Sequence, residues 1–176
     1  MGDIAHPLWV LPPAFVLLTG CWMRAEKQMM EREETMGGHL LALFEAADAV
    51  ADPDPSAFRA AMKQLEKGGE LPGVLEDGSL DALHAAAGAL KHAEDPSARA
   101  TGLVDLASRC AACHRAHGVT TPALFDPASP REDALGAVVW SDEARWERAW
   151  ARLDPAESPP GWDERRAALL PVLTRP

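Results

Sequence analysis

The sequence predicts an all-α fold, an antiparallel four-helix bundle followed by a short Trp-rich helical extension. Three observations predict it. The chain of 176 residues is rich in Ala and Leu, has no Tyr and carries 15 Pro, a balance that favours helices broken by proline-containing connections. Apolar residues recur at helical spacing in four successive stretches, and no stretch shows the two-residue alternation of a strand.

The first stretch has no proline between residues 22 and 52. Met36, Leu40, Leu43, Ala47 and Val50 make one stripe, Phe44 widens it, and Gly37-Gly38 lies inside it. "DPDPS" then ends the helix, because Pro53 and Pro55 disfavour helical backbone in the residues before them. Ser56 is available to cap the second helix, which spans about residues 57–67 with Phe58, Ala61, Met62 and Leu65 inward. "KGGELPGVLEDGS" reads as a loop. A third helix runs from Ser79 to about Ala93, with Leu80, Leu83, Ala87 and Leu90 on one face. Pro96 marks the start of the fourth, which continues through Leu103 and Leu106 to a stop at Gly118. Four helices with short connections favour a bundle over residues 24–118. Residues 119–176 read as a Pro-rich linker, "TTPALFDPASP", and a helical C-terminal extension. Within it Trp146, Ala149, Trp150 and Leu153 form one face of a helix from Asp142 to Leu153, capped by Ser141. "GWDERRAALLPVL" adds another turn or two. Four of the six Trp lie in this tail, where they are expected to pack against the bundle.

The formal net charge is −10. Nucleic acid is thereby disfavoured as a partner, since phosphates call for Lys and Arg clustered on a face. The N-terminal residues differ from the rest. "LWVLPPAFVLL", Leu8 to Leu18, is free of charge, too short to span a membrane and of the length of the apolar core of an export signal. It runs into Leu18-Thr19-Gly20-Cys21. This resembles the lipobox of bacterial lipoproteins and implies a signal peptide over residues 1–20, lipidation at Cys21 and a periplasmic or cell-envelope location with a lipid anchor in the membrane. Removing residues 1–20 takes away only Asp3 among the charged residues. With Cys21 acylated, the remaining thiols are Cys110 and Cys113.

Those two lie in "ASRCAACHRAHG". C-x-x-C-H is the attachment pattern for c-type haem. Two thiols one helical turn apart can form thioethers with the two vinyl groups on one edge of the macrocycle. His114, directly after the second Cys, then reaches the iron from one face. The competing chemistries fit less well. Structural zinc takes four ligands, usually from two separated pairs, and here there is one pair, with His114 turned about 100° from Cys113 on a helix. A thioredoxin-type dithiol sits at a helix N-terminus, where the dipole lowers the thiol pKa. This pair lies near the C-terminal end.

A C-x-x-C-H motif closing the fourth helix of a bundle resembles the cytochrome c-prime family. "MGGHLLAL", residues 36–43, resembles the Met-Gly stretch in the first helix of that family. The resemblance covers about residues 24–118. It implies one covalent haem c, a proximal His114, and a homodimer. It also implies that the first helix faces the iron on the distal side. The family's distal position falls on Glu33, whose carboxylate would be costly to bury beside haem. Met36 and His39, three residues apart, are then the candidate distal ligands. The plain alternatives are a core methionine for Met36 and a surface or hydrogen-bonded histidine for His39. His84, His92, His117, Arg109 and Arg115 read as surface or interhelix residues.

The expected function is electron transfer outside the cytoplasm, with the acidic surface steering a basic redox partner. Two alternatives stand beside it: a haem protein with an open distal site that binds NO or CO, and a haem-free lipoprotein scaffold. No residue set resembles a hydrolase triad or a phosphate-binding loop, so enzyme activity is not expected. A peroxidase-like reaction would need a distal acid/base, for which His39 is the candidate.

Overall fold

A computed structural model describes residues 37–68, 78–120, 127–153 and 157–174. These residues form seven helices and no strand: α1 (residues 37–51), α2 (Pro55–Glu66), α3 (Ser79–Leu90), α4 (Pro96–His117), α5 (Pro130–Trp140), α6 (Glu143–Leu153) and α7 (Trp162–Leu173). The fold is all-α, as the sequence predicts. None of the described helices is long and apolar enough to cross a membrane. Cys21, Glu33 and Met36, and residues 1–20, where an export signal is expected, lie outside the described residues.

Helices α1 to α4 follow the predicted stripes. Leu43, Phe44, Ala47 and Val50 of α1 are buried, as are Phe58, Ala61, Met62 and Leu65 of α2. In α3 the buried pair is Leu83 and Ala87, with Leu80 and Leu90 partly buried against the core. The start of α2 differs from the prediction. Asp54, not Ser56, is the cap, its carboxylate accepting from the backbone N–H of Ser56 and Ala57 at 2.8 and 3.0 Å. Pro55 can therefore occupy the first helical position, where a missing N–H costs nothing. The α4 helix stops where the sequence predicts, with Gly118 left-handed at φ 64°.

The helix α5 is the larger departure, because the sequence reading passes over it. Its residues Glu132 to Val139 are all buried. A helix covered on every side shows no apolar stripe, so periodicity does not reveal it. A local signal does exist in Ser129-Pro130-Arg131-Glu132. The Ser129 hydroxyl accepts from the Glu132 N–H at 3.2 Å, and the Glu132 carboxylate accepts from the Ala128 N–H at 2.6 Å, a variant of the capping box. Ser141, read as the cap of α6, instead closes α5 in the left-handed conformation at φ 54°. Asp142 caps α6 by accepting from the Arg145 N–H at 2.9 Å. The final segment is a helix of 12 residues, α7, longer than the turn or two expected.

This arrangement places α5 against α4, α6 and α7, while α4 also packs on α3 and α7, and α2 on α3. One hydrophobic cluster contains side chains from all seven helices. Trp146 and Trp150 of α6 belong to it, stacked with ring centroids 5.2 Å apart. Asp133 of α5, itself buried, pairs with Arg145 and Arg152 of α6, the first at 3.3 Å. Arg165 of α7 pairs with Glu147 of α6 at 2.8 Å and lies over the Trp162 ring. The α3–α4 pair runs antiparallel. The Leu90 side chain at the end of α3 covers Gly102 near the start of α4, while Ser79 at the start of α3 reaches Cys113 near the end of α4.

Candidate haem-attachment site

The C-A-A-C-H segment lies near the end of α4, which continues through Arg115, Ala116 and His117. Cys110, Cys113 and His114 share one side of the helix, since residues three and four apart are neighbours on its surface. Both thiols are free; Cys110 is buried and Cys113 partly buried. The Cys113 Sγ accepts a long contact from the Ser79 hydroxyl at 3.8 Å. Burial, with a contribution from the neighbouring Cys113 thiol, pushes the Cys110 thiol up to about 12. This is the opposite of the activation that a redox dithiol needs.

The imidazole of His114 is held by α5. Its Nδ1 lies 2.9 Å from the Val139 carbonyl, which belongs to the last turn of α5 and so has no partner within its own helix. A carbonyl only accepts, so Nδ1 carries the proton and Nε2 presents a bare lone pair. The ring is also stacked on Trp140, with centroids 6.1 Å apart and planes 12° from parallel. His114 is 3 % exposed, and its Nε2 is buried with no hydrogen-bond partner. Burial lowers its pKa, opposed by the Val139 hydrogen bond, which favours the charged form. The group is therefore a neutral imidazole at pH 7. A buried polar atom without a partner costs about 1–3 kcal/mol. An axial bond to a metal would remove that cost, and a second-nitrogen hydrogen bond to a carbonyl is the arrangement that orients a ligating histidine. The donor set thus fits a covalently held haem. Sequence reasoning could find His114 but not its Val139 and Trp140 partners, because they lie on the helix that periodicity misses.

His39, the first-helix candidate, is 5 % exposed. It packs edge-on against His84 of α3, with ring centroids 5.4 Å apart and planes 82° apart. Burial, and next the proximity of His84, brings its pKa down to about 4. The structure therefore joins two histidines that the sequence treats separately. Helix α3 carries both neighbourhoods: Ser79 touches Cys113, and His84 meets His39 about 7 Å farther along the helix axis. Of the other predicted surface residues, Arg109, Arg115 and His117 are exposed, and Arg115 donates to the Ser141 hydroxyl at 2.7 Å. No group of three or more His, Cys, Asp or Glu side chains is arranged for a metal ion among the described residues.

The buried Cys110 thiol leads to a testable expectation. In the haem-free chain, iodoacetamide should label Cys113 at least about tenfold faster than Cys110, and both equally after unfolding. Mass spectrometry of the labelled peptides reads this directly, and equal native rates would contradict the burial of Cys110. No protein-family model, curated protein or solved structure matches the chain.

Proposed function

We propose that the protein is a c-type cytochrome that carries electrons outside the cytoplasm, similar to the cytochrome c-prime family, with one covalent haem. Cys110 and Cys113 hold the macrocycle through thioether bonds, and His114 supplies the proximal ligand. The observation that carries the reading is the His114 imidazole, buried, oriented by the Val139 carbonyl and left with an unpartnered Nε2. Bound haem supplies a one-electron couple between ferric and ferrous iron.

The chain's own residues do the rest. Val139 fixes the tautomer of His114, so Nε2 is always the donor. Trp140 limits rotation of the ring. Buried Cys110 must be reached before the helices close over it, so attachment belongs to the open chain. On the distal side the candidates are Met36, outside the described residues, and His39. The resemblance of Leu18 to Cys21 to a lipobox supports a lipid anchor at Cys21 on the cell envelope. The net charge of −10 supports a basic redox partner, and the family resemblance supports a homodimer.

Visible spectra of protein made with a haem-maturation system test this reading. Expected are a covalently retained haem after denaturation and a low-spin reduced spectrum that carbon monoxide leaves unchanged. A high-spin spectrum that shifts with carbon monoxide would establish gas binding instead. Absence of covalent haem would overturn the cytochrome reading and leave a lipoprotein scaffold.

A further inference from the structure

We infer that His39 and His84 together form a second metal site, which takes one divalent transition-metal ion of the class that prefers imidazole. The inference stands on geometry separate from the C-x-x-C-H segment. Both Nε2 atoms are buried and have no hydrogen-bond partner. Both lie beside the same point next to Gly68, just past the end of α2. The position that a Gly68 side-chain carbon would take is 1.9 Å from Nε2 of His39 and 3.0 Å from Nε2 of His84. Gly68 does not adopt left-handed backbone, so what glycine supplies there is space. Any side chain would displace His39, and its absence lets two unpartnered ring nitrogens lie close together.

The chemistry selects the ion. Two imidazoles suit Zn²⁺, Ni²⁺ or Cu²⁺, and not Mg²⁺, which calls for oxygen ligands. Zinc–nitrogen bonds of about 2.0–2.1 Å would form at the two Nε2 atoms, on rings whose centroids lie 5.4 Å apart. His84 is half-buried, and water fills the remaining positions. No other ligating side chain joins the pair among the described residues, so the site is an open one. The ion would tie α1 to α3. The assignment also takes His39 away from the haem iron and leaves Met36 as the distal candidate from the first helix.

The test is calorimetric titration of Zn²⁺ into the full-length protein after removal of metal with EDTA. One ion per chain is expected, with no binding of Mg²⁺. His39→Gln and His84→Gln should each weaken Zn²⁺ binding at least about tenfold, and exposed His92→Gln should leave it unchanged. Gly68→Ala keeps both imidazoles but fills the space between them, and should weaken binding to the same degree. It also serves where a histidine variant does not fold. Absence of Zn²⁺ binding, or binding insensitive to His39→Gln and His84→Gln, overturns the site. So does a change in the reduced haem spectrum of the metal-free protein on His39→Gln, because that places His39 on the iron. Haem content is read on the same sample after denaturation. Failure of the cytochrome reading is thus seen independently, and zinc held by free Cys110, Cys113 and His114 would not respond to the His39 and His84 variants.

Discussion

Replacing Cys110 and Cys113 together by Ala should abolish covalently retained haem, with the helical circular-dichroism signal kept. Haem staining of a denaturing gel reads the attachment, and the wild-type chain is the positive control. The substitutions are small. Cys110 is buried among apolar neighbours, where Ala is tolerated at a cost of about 1 kcal/mol. Cys113 loses only its long contact with Ser79. Attachment would therefore fail for want of the thiols and not for want of the fold. Single variants should each retain haem through one thioether, at reduced yield. His114→Ala should keep both thioethers but lose the axial bond, which leaves the Val139 carbonyl without its donor. A double-Ala chain that still holds haem through denaturation would remove the thiols from the mechanism.

Trp146→Ala should lower the unfolding free energy by about 3–5 kcal/mol, the largest stability loss expected from a single truncation here. Trp146 is fully buried. It stacks on Trp150 at 5.2 Å, meets the edge of Trp162 at 6.5 Å, and donates from Nε1 to the Ser158 hydroxyl at 2.7 Å. It thus joins α6, α7 and the segment between them. Trp146→Phe keeps most of the apolar area and loses the hydrogen bond, for a smaller loss of about 1 kcal/mol. Urea denaturation followed by circular dichroism measures both. Near-equal midpoints for Trp146→Ala and wild type would mean that the C-terminal helices unfold apart from the rest. The consequence reaches the site, because α6 packs on α5. Loosening α6 frees the helix whose Val139 carbonyl orients His114.

Much of this was legible in residue order, for identifiable reasons. The spans of α2 and α4 follow from stripes one face wide, and the end of α4 from a glycine that can turn left-handed. The buried face of α6 was legible because Trp146, Ala149 and Trp150 recur at helical spacing beside charged neighbours. Its cap was not, because Ser141 was taken by the end of α5 and the role fell to Asp142. Local choices of this kind depend on which of two adjacent helices claims a residue, and that is settled by packing.

By itself the sequence determined the helical class, the acidic surface and the Cys-x-x-Cys-His segment on the last turns of a long helix. These depend on spacing along the chain, and spacing is what a sequence carries. The tertiary structure alone decided that α5 is a buried helix, since burial on all sides erases the periodic signal. It decided that Val139 and Trp140 hold His114, across a separation of 25 residues from Val139. It also brought His39 and His84 together over Gly68. Each of these depends on the packing of elements distant in sequence, and helical periodicity within one segment contains no information about which other segment will cover it.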